Sequence, residues 1–194
     1  MSRALDAALA ALALVVTAPV LAIAAILIRL ESRGPVVFRQ RRVGLDGRPF
    51  DLWKLRTMVS GAEAMGAGLY VLEGDPRITR AGRLLRRFSL DELPNLVNVL
   101  HGEMAMVGPR PTVQEQVDRY TDRHRRRLEV KPGITGWAQV HGRASLPWPE
   151  RIELDVWYVD HRSLLLDLKI LLRTARLLAT GRGLYSETLR QGWD

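Results

Sequence analysis

From Ala7 to Ile28 the chain runs for 22 residues without a charged side chain, and arginines resume at once with Arg29. No other feature constrains the fold as strongly. A helix rises about 1.5 Å per residue, so this run reaches about 33 Å, enough for a hydrocarbon core of about 30 Å. A soluble protein of 194 residues has too little remaining chain to wrap one all-apolar helix. A secretory signal peptide fits poorly too: the run exceeds the usual apolar region, and no clean small-x-small cleavage site precedes the polar chain. The segment therefore reads as a membrane helix.

Pro19 falls just past the middle of the run. A proline there removes one backbone hydrogen bond and crowds the preceding turn, so a kink is expected. Two arrangements fit the residues: a kinked spanning helix, or a re-entrant hairpin that enters and leaves by one face. Arg29, Arg33, Arg39, Arg41 and Arg42 place the large C-terminal part in the cytoplasm. In the re-entrant arrangement Arg3 lies on that side as well.

The rest of the chain is long enough for one globular unit and shows no repeat or low-complexity linker, giving a division into a membrane segment, 1–30, and a single domain, 31–194. With 47% hydrophobic and 26% charged residues, disorder is excluded. Net charge is +8, and all but three of the 29 basic residues are arginines. Without cysteine there is no disulfide scaffold, thiolate zinc site or cysteine nucleophile. Residues 35–43 and 49–57 are β-branched and aromatic-containing stretches joined by Leu45-Asp46-Gly47, which predicts a hairpin. Residues 60–74 are glycine-rich and read as a mobile loop. Leu93, Leu96, Val97 and Leu100 mark a helix over 92–100 that stops at Gly102, and 112–129 reads as a solvated helix. Residues 150–180 predict two amphipathic helices separated near Asp160–Ser163. They face either the core or a headgroup layer, with Trp148, Trp157 and Tyr158 as interfacial aromatics.

Chemistry concentrates further in. Arg77, Arg80, Arg83, Arg86 and Arg87 crowd into 77–87 without an acid, and Ser89-Leu90-Asp91-Glu92-Leu93-Pro94 follows directly. Ser89 and Glu92 match a capping box, but Pro94 fits better if Asp91 is the N-cap, where the missing N–H falls among donors that are unpaired anyway. Capping alone accounts for Asp91 and Glu92. Beside an arginine cluster, however, a helix N-terminus also suits phosphate, and that field would keep Asp91 ionised. An ionised carboxylate facing a phosphoryl group can act as a nucleophile, and phosphates bring Mg²⁺. Gly108-Pro109-Arg110-Pro111 holds an arginine between two prolines, which lowers the entropy cost of presenting its guanidinium. The 131–139 stretch offers Thr135, Gln139, two glycines and an aromatic ring, suited to nucleotide or sugar contacts or to a tight turn. His101, His124, His141 and His161 show no metal-ligand spacing, and no P-loop, dinucleotide fingerprint or serine elbow is present.

Read in order, these blocks resemble the bacterial sugar transferase family, the monotopic polyprenyl-phosphate phosphoglycosyl transferases, in their short form. The resemblance runs through Gly34-Pro35-Val36-Val37-Phe38-Arg39-Gln40, Lys54-Leu55-Arg56-Thr57-Met58, Asp75-Pro76-Arg77-Ile78-Thr79-Arg80 and the Ser89–Pro94 block. It continues through Gly108–Pro111, the 131–139 stretch and Leu154-Asp155-Val156-Trp157-Tyr158. It implies a mainly helical α+β fold: a re-entrant membrane helix broken at Ala18-Pro19, and a small cytoplasmic catalytic domain with a β-hairpin and interfacial amphipathic helices. The implied reaction moves a sugar-1-phosphate from a UDP-sugar to a polyprenyl phosphate, such as undecaprenyl phosphate, with release of UMP. It would be the first membrane step of a bacterial glycoconjugate pathway, on the cytoplasmic face of the inner membrane.

The resemblance also implies Asp91 and Glu92 as the catalytic dyad, with Asp91 forming a covalent phosphosugar intermediate and partly holding Mg²⁺. Arg86 and Arg110 match phosphate-binding positions, followed by Lys54 and Arg56; Pro109, Thr135 and Gln139 fall to the nucleotide and sugar. Membrane lipids are expected partners, a homodimer is compatible with the sequence, and nucleic acid is not expected. A different class of function competes: a non-enzymatic basic membrane-surface adaptor whose arginines bind anionic lipid. That function would not need Asp91 and Glu92.

Overall fold

A computed structural model describes residues 1–65, 74–142 and 146–180, and the architecture is mainly helical α+β. Of the loop expected at 60–74, residues 66–73 lie outside the described part. Helix α1, Arg3–Glu31, begins at Ser2, whose side chain accepts from the Leu5 amide, and it is long and apolar enough to cross a membrane. Helical structure continues through Pro19, so the break expected at Ala18-Pro19 does not interrupt the helix. Proline keeps a helical φ and forfeits only one donor. Two residues before it the Thr17 hydroxyl donates to the Ala13 carbonyl at 2.6 Å.

Strands β1, Val37–Val43, and β2, Pro49–Leu55, pair antiparallel from Val37 opposite Leu55 to Val43 opposite Pro49, which bears out the expected hairpin. Asp46 and Gly47 take positive φ in the turn. Phe50 and Leu52 of β2 are buried, and Lys54 follows at the same alternation. A second pair was not legible in the sequence: β3, Ala105–Val107, runs parallel to β4, Gly133–Thr135. A Cβ on Gly108 would lie 2.3 Å from the Lys131 carbonyl oxygen. Only glycine lets the chain after β3 approach that close.

Helices α2, Arg80–Arg87, and α3, Asn95–His101, flank the acidic pair. The 112–129 stretch is two short helices, α4 Gln114–Val117 and α5 Asp122–Arg125, and a 3₁₀ turn at Arg126–Leu128, not one solvated helix. Val117, Tyr120 and Arg127 are buried there, because Arg127 donates to Asp155 at 2.5 Å and caps the core instead of facing water. Helices α6, Trp137–His141, α7, Trp148–His161, and α8, Leu164–Thr180, complete the fold, the last two separated where expected.

Both halves of α1 enter the core of the globular unit. Ala10 is buried with Phe50, Leu52, Leu96, Val99 and Met104, while Ala24 and Ile28 are buried with Leu55 and Leu85. Near its start, Arg3 donates to the carbonyls of Val99 and Leu100, and the Asp6 carboxylate accepts from the Met106 amide at 3.0 Å. At its end, Glu31 accepts from the amides of Arg80 and Ala81 at 2.6 and 2.7 Å, capping α2. Between these attachments Leu12, Val15, Val16, Ile23 and Ile26 are exposed. Leu165 and Leu172 of α8 are exposed as well.

Candidate active site

The acidic pair sits where α2 meets α3. Helix α2 starts at Thr79, whose hydroxyl accepts from the Gly82 amide at 2.9 Å. A Cβ on Gly82 would lie 2.0 Å from the Thr57 carbonyl oxygen, so glycine permits α2 to lie directly on the segment after β2. After α2 the chain reverses through Ser89, which takes φ 54°, a left-handed conformation that L-residues adopt at a cost of roughly 1–2 kcal/mol. Leu90–Glu92 then form one 3₁₀ turn.

That geometry corrects the expected capping. Helix α3 begins at Asn95 after Pro94, Asp91 lies inside the preceding 3₁₀ turn, and the Ser89 side chain makes no capping bond. Leu93 donates to Leu90 and Val97 to Pro94. The tight turn thus holds both carboxylates ahead of the helix instead of on its first turn.

The two carboxylates have opposite surroundings. Glu92 is held from both sides: Lys54 Nζ lies 3.3 Å from its Oε1, and Arg110 binds it through both Nη atoms, Nη1 at 3.3 Å from Oε2. Burial opposes its charge, but the Arg110 and Lys54 charges and hydrogen bonds outweigh burial and hold the carboxyl well below the usual range. Asp91 accepts no hydrogen bond among the described residues. Burial and the neighbouring Glu92 charge push it up, and Lys54, Arg86 and Arg110 only partly offset them. The field expected to keep Asp91 ionised is therefore weaker than the desolvation it must overcome. Neighbouring acids pushed in opposite directions suit distinct roles, one fixed as an anion and one poised to change state.

The cations differ in the same way. Burial pushes Lys54 down despite Glu92, whereas the Glu92 charge pushes Arg110 up. Arg86 Nε donates to the Thr57 hydroxyl at 2.8 Å, which fixes its guanidinium near Asp91 without a direct ion pair among the described residues. Arg56 is placed elsewhere: buried, it donates to the Arg33 and Ser32 carbonyls at 2.7 and 2.8 Å and secures the exit of α1. Thr135 is buried with its hydroxyl 2.6 Å from that of Thr174 on α8. The Pro109 carbonyl accepts from the Gly133 amide at 2.9 Å. Gln139 has both amide atoms buried without a partner, beside Gly136.

Sequence reasoning missed Arg42, Thr57 and Asn95. Arg42 and Asn95 line a cleft with Lys54, Glu92 and Arg110, and Thr57 orients Arg86. Their signal was spacing: Asn95 follows Asp91 by four residues, and Arg42 lies opposite Phe50 on the strand beside the one carrying Lys54. Among the described residues no three His, Asp or Glu side chains form a metal cluster. Mg²⁺ often needs only one or two protein carboxylates, filling the remaining positions with phosphate oxygens and water. The uncommitted Asp91 carboxylate fits that role; Glu92, bonded on both oxygens, does not.

An acidic dyad on a strained turn, ringed by basic side chains beside a long apolar helix, is an arrangement that can bind phosphate-bearing groups and offer them a carboxylate nucleophile. The family model described as "Bacterial sugar transferase" matches residues 1–181, and the chain belongs to that family. It is 44% identical over 184 residues to the "Uncharacterized sugar transferase EpsL" of Bacillus subtilis, covering 95% of this chain and 90% of the relative. It is 45% identical over 191 residues to a UDP-glucose:undecaprenyl-phosphate glucose-1-phosphate transferase of Caulobacter vibrioides, covering 94% of this chain and 71% of that one. A UDP-N-acetylgalactosamine-undecaprenyl-phosphate N-acetylgalactosaminephosphotransferase of Aeromonas hydrophila is 42% identical over 187 residues. That alignment covers 93% of this chain but only 44% of the longer Aeromonas protein.

Proposed function

We propose that this protein transfers a sugar-1-phosphate from a UDP-sugar to a polyprenyl phosphate and releases UMP. The observation that carries the reading is the asymmetric dyad: Glu92 locked by Lys54 and Arg110, Asp91 without a hydrogen bond beside Arg86. An unbonded carboxylate in a basic surround is what nucleophilic attack on a phosphoryl group requires. An Asp91 oxygen attacks the β-phosphorus, and the bond from that phosphorus to the bridging oxygen breaks. UMP leaves with the electron pair, and the phosphosugar remains on Asp91 as an acyl phosphate. An oxygen of the lipid phosphate then attacks the same phosphorus, restoring the Asp91 carboxylate and leaving the sugar on a polyprenyl diphosphate.

Glu92, held anionic, keeps Lys54 and Arg110 in place, so both cations await the diphosphate without reorganising. Mg²⁺, held in part by Asp91, would neutralise diphosphate charge. The relatives' names supply the substrate classes, and the dyad supplies the chemistry.

The membrane arrangement we infer is re-entrant, with residues 1–30 dipping into the cytoplasmic leaflet of the bacterial inner membrane and 31–194 at its cytoplasmic face. The attachment of both α1 ends to one globular unit supports this, since a spanning helix would have to leave that unit at one end. The adaptor alternative predicts salt-sensitive vesicle binding without UDP-sugar consumption. In a UMP-release assay with UDP-sugars, polyprenyl phosphate and Mg²⁺, wild-type protein is expected to turn over. Asp91→Asn is expected to be inactive, and labelled sugar phosphate should stay on the wild type when acceptor is omitted. Full-rate UMP release by Asp91→Asn would overturn the nucleophile assignment.

A further inference from the structure

Two asparagines three residues apart on α3 are both buried, and their surroundings differ. Asn98, fully buried, is saturated: its Nδ2 donates to the Asp51 carbonyl and to Glu103 Oε2, each at 2.7 Å, and its Oδ1 accepts from the Trp53 amide at 3.1 Å. It ties α3 to β2 and needs no further role. Asn95, one turn nearer the dyad, is 3% exposed, and its Oδ1 is buried with no hydrogen-bond partner. Asn95 is one of the residues lining the cleft bounded by Lys54, Glu92 and Arg110. Folded proteins rarely leave such an atom unpaired, because its desolvation goes uncompensated.

The chemistry of the orphan narrows its ligand. A carboxamide offers one acceptor oxygen and one donor NH₂, whichever way the group is turned. Ionised phosphates accept hydrogen bonds and have none to donate, so the diphosphate serves only an amide turned to present its NH₂, whereas a hydroxyl serves either orientation. The cations of the cleft already suit the phosphates, and a neutral amide adds no charge there. What fits is a group that donates and accepts at once: a sugar hydroxyl, or an acylamino group with its N–H donor and C=O acceptor. The sugar is bonded to the phosphorus that Asp91 would attack, whereas the nucleoside is separated from it by a second phosphate.

We propose that Asn95 contacts the donor sugar, reading a hydroxyl or acylamino substituent near its anomeric carbon, and so helps to set donor specificity. This rests on the proposed reaction and goes beyond it by naming the residue that meets the sugar. A site built to hydrogen-bond a substituent discriminates strongly against donors lacking it, because its buried polar group is then left unpaired.

The test uses full-length protein in detergent or nanodiscs, comparing wild type with Asn95→Ala, Asn95→Leu and, as a structural control, Asn98→Ala. Binding of UDP-glucose, UDP-galactose and UDP-N-acetylgalactosamine is measured against binding of UDP, which carries uracil, ribose and diphosphate but no sugar, and UMP release is followed in parallel. Both Asn95 variants are expected to bind UDP like the wild type. They should lose about tenfold in affinity and kcat/KM for the preferred sugar donor, and the ranking of donors should flatten. Their Tm without ligand should be unchanged or raised, whereas Asn98→Ala should lower it. Equal losses for UDP and UDP-sugar would assign Asn95 to the nucleotide and overturn the proposal. So would a fall in unliganded Tm in both Asn95 variants, or wild-type donor ranking, which would mean that Asn95 holds only water or the fold. If no UDP-sugar is turned over by the wild type, the proposed reaction fails, and the sugar-dependent binding ratio still decides Asn95.

Discussion

Replacing Lys54 with methionine should separate catalytic value from stability at this site. The Lys54 ammonium lies 3.3 Å from Glu92 Oε1, so at an effective dielectric of about 20 their gross attraction is about 5 kcal/mol. Its side chain is only 17% exposed, and withdrawing an ammonium from water costs several kcal/mol even after relaxation. Burial prevails, because Lys54 is pushed down despite Glu92. The charged form is therefore less favourable in the fold than in water, and this balance already includes the attraction to Glu92. Methionine keeps the length without the charge, so thermal unfolding of Lys54→Met should give a Tm equal to or above the wild type, within about 1 kcal/mol. UMP release should fall roughly 10²–10³-fold in kcat/KM, the usual effect of removing one preorganised donor from a phosphate-charge site. A base with a depressed folded value gains stability as pH rises toward its ordinary value. An alkaline scan should accordingly stabilise wild type more than Lys54→Met. Destabilisation of Lys54→Met by several kcal/mol, or turnover at the wild-type rate, would refute the reasoning.

Burial raises Asp91 and the proposed attack needs it ionised, so the acid limb of kcat/KM should lie above the ordinary aspartate range. Glu92→Gln, which removes a like charge, should move that limb to lower pH, and a pH–rate series checks both positions. Ser89→Gly should stabilise the fold by about 0.5–1 kcal/mol in denaturant titration by relieving the left-handed strain, while Ser89→Val should destabilise it. Gly82→Ala should lower stability by about 1–3 kcal/mol and reduce turnover together, since a Cβ there strikes the Thr57 carbonyl and displaces the helix carrying Arg86. Arg56→Ala should lower Tm while leaving KM for the UDP-sugar close to the wild-type value, because Arg56 bonds the end of α1 and not the cleft.

The legible parts of this molecule were those with a local signature. The apolar run, the hairpin around Asp46-Gly47 and the two C-terminal helices announce themselves through period and turn chemistry. The dyad was legible as a block of residues and misread in its backbone. The left-handed Ser89 depends on α2 and α3 packing on either side, and a capping box has the same letters. The parallel β3–β4 pair escaped because its three-residue strands lie far apart in sequence and meet only through glycine contacts. Arg56 and Arg86 look alike in a list of arginines; their separate duties follow from which carbonyl or hydroxyl each one reaches. The field at Asp91 was misjudged because counting nearby arginines omits desolvation, which no sequence pattern reports.

The anchor and the active site are one mechanical unit. Ile28 and Ala24 near the end of α1 pack with Leu85 of α2 and Leu55 of β2, with Leu90 of the dyad turn against the same cluster. Glu31, three residues beyond Ile28, caps the first amides of α2, and that helix positions Arg86. The Glu31 carboxylate occupies the end of α2 where an anion is most favourably placed, so the helix dipole holds the membrane segment instead of a phosphate. Any change in the depth or tilt of α1 must then act on Leu85 and Leu90, on either side of Ser89. Interiors are too closely packed to absorb such a shift silently. The exposed residues between the two attachments of α1 are therefore linked to the geometry of Asp91 through packing, without touching it.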